Sequence, residues 1–320
     1  MKLTGAIIGL GKIGFGYDQD LPVSDYVLSH ARALEQHSSV ELIAGIDISQ
    51  ERIDLFRKSY QVPTYRSVKQ FLEHARPNLV VIASPTKYLT QIADEILNAY
   101  SPSYILIEKP FSNDFELADN LNKRCENLGI NLFVNYTRRA SPAFIKVKSR
   151  ILDGTFRGPF IGNAWYTNGI LNNGSHMLNT LEYFFGDVLD IIDIKEIFRN
   201  ENDPDIQFTL IFENCEIIIK PLPYRNFTTF QFQLFGANGV LALEPGFKGF
   251  TWTESDKDQV FSHLKMLSGT THTIKSDMQF AQLNVTESII NNLGGTSQNI
   301  CSGREGVRTL EHISNIIKSI

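Results

Sequence analysis

Three short segments combine residue types and spacings that suit chemistry on a small molecule. The first is Gly9-Leu10-Gly11-Lys12-Ile13-Gly14, at the end of an apolar run at 3–9. Gly9 allows a tight turn, Gly11 lets a pyrophosphate approach the backbone, and Gly14 lets a following helix pack closely on a sheet. That helix would aim free N–H groups at the phosphates. Asp47 closes a second apolar run at 40–47, where a carboxylate accepts both hydroxyls of a ribose and repels a 2′-phosphate. The separation between Gly9 and Asp47 exceeds the usual spacing of roughly 20–30 residues. The excess is assigned to a loop at 15–27, which either arches over a ligand or is decoration.

The second segment is Glu108-Lys109-Pro110, after the apolar run YILI. The carboxyl edge of a parallel sheet is where ligands lie, and a proline there ends the ladder and biases Lys109 toward an extended backbone. A lysine held at that edge stabilises developing charge on a substrate oxygen once water is excluded. The third segment is Asn172-Asn173-Gly174-Ser175-His176-Met177-Leu178-Asn179, in which His176 falls in the first turns of a helix. Imidazole exchanges a proton near neutral pH, and Asn172 and Asn179 can orient hydroxyls without titrating. Taken singly, a lysine at a strand end is more often solvated, and a histidine on a helix is more often structural.

The elements that must position these residues are legible as a change of period. Apolar runs at 3–9, 40–47, 78–83, 104–108 and 130–135, with a weaker one at 62–65, alternate with helix-like text at 28–37, 50–59, 67–75, 88–99 and 112–128. Ser112 is expected to cap the last of these helices. This alternation predicts β-α units and a doubly wound parallel sheet. Beyond about residue 136, alternating stretches at 206–213, 215–220, 229–235 and 239–243 predict a mostly antiparallel sheet, with Asn238-Gly239 as a hairpin turn. Helices at 142–152, 175–185, 276–291 and 305–319 are expected to cover one face of it. The fold class is therefore α/β, with domains expected at 1–135 and 136–320. The C-terminal helix is allowed to pack back on the first domain.

Composition excludes several classes. The chain of 320 residues carries 30 Lys and Arg against 35 Asp and Glu, a net charge of -5, which argues against nucleic acid or anionic lipid as the main partner. No run approaches the length of a membrane span. Three cysteines far apart form neither a disulfide framework nor a metal motif, which favours a reducing compartment, read here as cytoplasmic. The histidines show no tight metal grouping, so no metal is expected.

The chain resembles the glucose-fructose oxidoreductase, inositol dehydrogenase and MocA-like family of nicotinamide-dependent enzymes. The resemblance runs in order through AIIGLGKIG, HARALEQHSSVELIAGIDISQER, PNLVVIASPT, YILIEKPFS, VNYTRRASPAF, NNGSHMLNTLEYFFGD and SGREGVRTLEHI, nearly the whole chain. It implies an N-terminal Rossmann domain and a C-terminal α+β domain with an open antiparallel sheet. It also implies that Gly9, Gly11, Lys12, Ile13 and Gly14 wrap the phosphates and Asp47 holds the ribose. Ser84, Pro85, Thr86, Glu108 and Lys109 would then lie toward the nicotinamide, with Lys109, His176 and Asn172 forming the catalytic set. Where the family commonly has Asp, this chain has Asn172 and Asn179, so the charge that would raise the basicity of His176 is missing.

The activity so implied is hydride transfer between a nicotinamide cofactor and a secondary alcohol or ketone of a sugar, cyclitol or nucleotide sugar. NAD is expected ahead of NADP, although Ser49 and Arg52 follow Asp47 and suit a phosphate. Tyr136, Arg138 and Arg139 stand where the family places substrate-facing groups, and Trp165 suits stacking on a pyranose. For each arginine the bland alternative is a structural brace, and for Trp165 a place in the sheet core. A homodimer or homotetramer is expected, because an open sheet face needs cover. Two other readings remain in view: a dinucleotide-binding regulatory homologue without catalysis, and a reductase of another small carbonyl compound.

Overall fold

Largely apolar strands set the first half of the fold. In a computed structural model describing residues 2–200, 203–222, 227–261, 263–267, 269–292 and 299–320, β1 (Leu3–Ile8), β2 (Val40–Ile46), β3 (Thr64–Tyr65), β4 (Leu79–Ile82), β5 (Tyr104–Ile107) and β6 (Asn131–Val134) pair in parallel. Every residue of β4 is buried, as a sheet covered on both faces requires. Alternation sends Ala6, Ile8, Val80 and Ile82 into one core cluster and Ile7, Leu79 and Val81 into another. The order β6-β5-β4-β1-β2-β3 reverses direction at the β1/β4 pair, the switch point of a doubly wound sheet.

The crossover helices are α1 (His30–Gln36), α2 (Gln50–Ser59), α3 (Val68–Leu72), α4 (Leu89–Ala99) and α5 (Phe115–Asn127). Ser29, Ser49 and Ser67 cap the first three through their hydroxyls. The fifth differs from expectation. Asp114 is its cap, accepting from the N–H groups of Glu116 and Leu117, while Ser112 accepts from the N–H of Asp114. The chain after Pro110 is still non-helical at Ser112, so the first helical turn forms two residues later.

The second sheet joins β7 (Phe160–Tyr166), β8 (Asp190–Phe198), β9 (Asp205–Phe212), β10 (Cys215–Pro221), β11 (Phe230–Gly236), β12 (Gly239–Leu243) and β13 (Gly249–Glu254). A small ribbon, β14 (Asp256–Lys257) with β15 (Lys265–Met266), precedes the edge strand β16 (Thr271–Lys275). The order is β16-β13-β12-β11-β7-β10-β9-β8, antiparallel except at β7/β10. The hairpin between β11 and β12 pairs Gly236 with Gly239, so its turn is Ala237-Asn238 and not Asn238-Gly239. The Asn238 side chain fixes that turn, accepting from the N–H of Arg157 and donating to the carbonyl of Thr155. One face packs against α6 (Pro142–Leu152) and α7 (Ser175–Phe185), with Phe144 and Phe184 against Phe232 and Phe250. On the other face Ile161 is 65% exposed and Phe235 46%.

The chain then continues through α8 (Ala281–Asn292), β17 (Cys301–Ser302) and α9 (Gly303–Lys318). Contacts divide it into two compact units, one of residues 1–140 and 279–310, the other of 141–278 and 311–320. The helix expected to cover the antiparallel sheet at 276–291 instead joins the first unit as α8. Val285 and Ile289 share a core with Ala31 and Leu34, His37 bonds Glu287 at 2.8 Å, and the N–H of Val27 donates to Gln279. β17 pairs antiparallel with β6, completing the first sheet. In α9, Val307 and Leu310 belong to the first core, and Ile313 and Ile316 to the second.

Candidate active site

The carboxyl edge of the first sheet carries the groups of the first two segments that the sequence singled out, while the third lies in the second unit. Each parallel ladder runs one residue past its strand: the N–H groups of Gly9, Ala83, Glu108 and Asn135 donate to Ile46, Ile8, Ile82 and Ile107. At the switch point lies a cleft of about 750 Å³, lined by Gly9, Gly11, Lys12, Asp47, Ser84 and Pro85 among others. Gly9 has φ of 102°, and a Cβ there would sit 2.6 Å from the carbonyl of Ala83, so a side chain is excluded by conformation and by space. Ile13 also lines the cleft; Gly14 is buried. Thr86, Glu108 and Lys109 lie outside its lining.

Asp47 ties this loop to the second strand. Its Oδ2 accepts from the N–H of Leu10 at 2.8 Å and its Oδ1 from the N–H of Ser49 at 2.8 Å, with the Arg52 guanidinium 3.5 Å away. The expected helix after the glycines is reduced to a five-residue π-turn, Lys12–Gly16. The loop beyond it explains why. Buried Asp18 accepts from the N–H groups of Leu28 and Ser29, and Arg32 donates to the carbonyls of Asp18, Leu21 and Tyr26. The loop is thus folded onto α1, which starts only at His30. Arg66 and Ser67 were missed by sequence reasoning, yet both line the cleft. The signal was the weak run at 62–65, because β3 lies beside β2 and ends at the same edge.

Beside the lysine, Glu108 accepts from the buried His30 at 2.8 Å and from the amide of Asn135 at 2.5 Å, and that amide also donates to Gln282 at 3.2 Å. This network spans α1, β5, β6 and α8, and holds the strand end that carries Lys109. Tyr136 is buried in the core of the first unit. Arg138 is also buried, and desolvation pushes its guanidinium down to about 9, which leaves it a cation at pH 7.

Arg139, 1% exposed, pairs with Glu305 on α9. Burial raises the Glu305 carboxyl, but Arg139 and the Ser302 donors outweigh it and hold the group below its usual range. Stability from this pair is therefore complete above the unfolded carboxylate value of about 4.3 and fades as pH falls through the lower folded value. Arg139→Met should cost about 2 kcal/mol at pH 7, short of the roughly 3–5 kcal/mol of a fully buried pair because Glu305 is 34% exposed. Urea unfolding at a series of pH values checks this. An Arg139→Met protein as stable as wild type at neutral pH would contradict the assignment.

In the second unit, α7 is buried from Ser175 to Phe184, and His176 is 9% exposed in its first turn. Asn179 is buried one turn on, while Asn172 lies exposed on the preceding turn, Gly169–Gly174. Trp165 points to the sheet face it shares with Ile161, opposite to Tyr166 and the α7 core, so it is not brought beside His176. Among the described residues no group of three or more His, Cys, Asp or Glu is placed to hold a metal ion. No described helix is long and apolar enough to cross a membrane.

A glycine loop, an acidic residue on the neighbouring strand and a cleft at the switch point fit a dinucleotide. Residues 3–136 match the model of an oxidoreductase family, Gfo/Idh/MocA, NAD-binding Rossmann fold. The first domain belongs to that family. A myo-inositol 2-dehydrogenase of Thermotoga maritima is 23% identical over 156 residues, 48% of this chain and 42% of the length of that enzyme. Among solved structures, the WlbA dehydrogenase of Bordetella pertussis in complex with NADH and UDP-GlcNAcA superposes with a TM-score of 0.76 at 19% identity, covering 99% of this chain and 95% of the other. An oxidoreductase of Agrobacterium radiobacter in complex with NAD+, L-tartaric acid and magnesium gives 0.74 at 17%, covering 97% and 94%. These likenesses show that the fold of both solved structures extends over nearly the whole of this chain.

Proposed function

We propose that this chain is an NAD(P)-dependent oxidoreductase that acts on a secondary alcohol or ketone of a sugar, cyclitol or nucleotide sugar. The observation that carries the reading is the cleft in which the glycine loop and Asp47 meet. Gly9, Gly11, Lys12 and Ile13 would hold the pyrophosphate, and Asp47 the adenosine ribose. A bound nicotinamide supplies the carbon that accepts or returns a hydride. This chain supplies the proton handling: His176 takes the hydroxyl proton during oxidation, and Lys109 balances charge developing on the oxygen. Asn172 and Asn179 contribute hydrogen bonds and no charge. Support for the substrate class comes from the inositol and UDP-sugar relatives, whose ligands are small polyhydroxylated molecules.

Asp47 favours NAD, since its carboxylate repels a 2′-phosphate; Arg52, at 3.5 Å, offsets part of that repulsion. The test is a titration of purified, cofactor-free protein with NAD and with NADP, followed by a panel of sugars, cyclitols and nucleotide sugars with the appearance of reduced nicotinamide as the readout. Tighter binding of NADP would reverse the cofactor preference. Binding of either cofactor without turnover, in both directions and on the whole panel, would favour a second reading for which the amides at 172 and 179 speak: a dinucleotide-binding homologue without catalysis.

A further inference from the structure

The turn that leads into α7 has four consecutive backbone N–H groups, and all four are accepted by one short segment. Gly169 donates to Asp205 Oδ1 at 3.0 Å, and Ile170 to the carbonyl of Pro204 at 3.0 Å. Leu171 donates to Asp203 Oδ1 at 2.7 Å, and Asn172 to Asp203 Oδ2 at 3.1 Å. The contact is close enough to dictate sequence. Gly169 has φ of 82°, and a Cβ on it would lie 2.0 Å from the Asp203 carboxyl carbon. The acidic segment is itself anchored, because the buried Tyr166 hydroxyl donates to the carbonyl of Ile206 at 2.7 Å and accepts from its N–H at 3.0 Å. On the far side of the turn, the Ser175 hydroxyl donates to the carbonyl of Asn172 at 2.8 Å. A continuous set of hydrogen bonds thus runs from the sheet, through residues 203–205, to the residue preceding His176.

We propose that Asp203 and Asp205 are positioning residues that fix the turn carrying Asn172 and, through it, the first turn of α7 that carries His176. The role rests on the reading of His176 as the group that handles the substrate proton. Neither aspartate needs to touch substrate. Their carboxylates hold backbone donors through charge-assisted bonds, which are stronger than those an amide or water would make. Fixing the backbone at 169–172 removes the small displacements that disable a proton-transfer geometry. Without these acceptors the N–H groups at the buried end of the turn, Gly169 above all, would be orphans, while that of Asn172 at the exposed end would turn to water. Two acceptors with full negative charge in one segment are an economical solution at that end of a helix, since the macrodipole there is positive.

The test uses Asp203→Ala, and Asp203→Asn as an isosteric variant that keeps one acceptor oxygen. Hydrogen exchange of the peptide covering 168–176 should be fast in Asp203→Ala, intermediate in Asp203→Asn and slow in wild type. The imidazole resonances of His176 should shift in the same order, a signature that a purely structural role far from α7 would not produce. Turnover should fall about tenfold in Asp203→Ala, with the dissociation constant of NAD changed less than about twofold. Should Asp203→Ala fail to fold, Asp203→Asn carries the same readouts. Wild-type exchange and unshifted His176 signals in a folded variant would overturn the proposal. A wild-type protein that turns over nothing would instead defeat the functional reading, while exchange and resonance data would still judge the clamp.

Discussion

Gly14→Ala is expected to weaken NAD binding about tenfold to hundredfold, while Gly16→Ala, two residues on, binds NAD as wild type does. A Cβ on Gly14 would lie 1.9 Å from the carbonyl oxygen of Gly9 and 3.0 Å from its carbonyl carbon. Both are backbone atoms, so no rotamer change relieves the clash. Gly9 cannot retreat, because its own Cα faces the backbone of Ala83 and Ser84 so closely that a Cβ there would sit 2.6–2.8 Å from them. The turn must therefore open, and the N–H of Leu10 then leaves the 2.8 Å bond to Asp47 Oδ2 that closes the cleft. Overpacking of this kind costs about 1–3 kcal/mol, and each 1.4 kcal/mol is a factor of ten in affinity. At Gly16 the nearest atom to an added Cβ is 3.7 Å away, ordinary contact. Calorimetric titration with NAD on both variants decides the matter. Equal affinity for Gly14→Ala and wild type would mean that the turn does not cradle the dinucleotide.

The contrast between those glycines shows how far sequence carried. The doubly wound sheet was legible because its strands are buried on both faces and read as unbroken apolar runs, β4 most plainly. The places of Asp47 and the glycine loop were legible because both follow directly on the ends of such strands. The second sheet was harder. Its strand β8 has a broken pattern, with register shifts between Ile192 and Lys195 and between Glu196 and Phe198, so no clean period-two signal survives. Strand β7, Phe160–Tyr166, includes glycine and asparagine and so carries no clean strand signal, although it sits in the middle of that sheet. The helical period of α8 is plain in sequence but the sheet it covers is not, because its partners on and just after α1 lie some 250 residues earlier, as in the His37–Glu287 pair. Amphipathic text says that a face is buried and not against what. The Asp203-Pro204-Asp205 segment left no signal at all, since acceptors for backbone N–H groups are defined only once the chain folds.

His176→Ala is expected to show the largest loss, about 10²–10⁴-fold in kcat, the range that a positioned acid/base contributes. Lys109→Ala should lower kcat about 10²–10³-fold, as loss of a charge facing a developing oxyanion does. Neither change should alter NAD affinity more than about threefold. His176 belongs to the second unit, and Lys109 lies outside the lining of the cleft assigned to the dinucleotide. Together the two losses should not add, because removing either group already stops the proton and charge transfers from being coupled. The amide at Asn172 sharpens the expectation. A carboxylate at this position would give the imidazole a charged partner, whereas Asn172 brings no charge, which leaves more of the proton handling to His176. Steady-state kinetics on the substrate found by the panel, paired with NAD titrations, separates turnover from binding. Wild-type kcat in His176→Ala would remove the imidazole from the mechanism. Lost NAD binding in Lys109→Ala would move the lysine from the substrate oxygen to the cofactor.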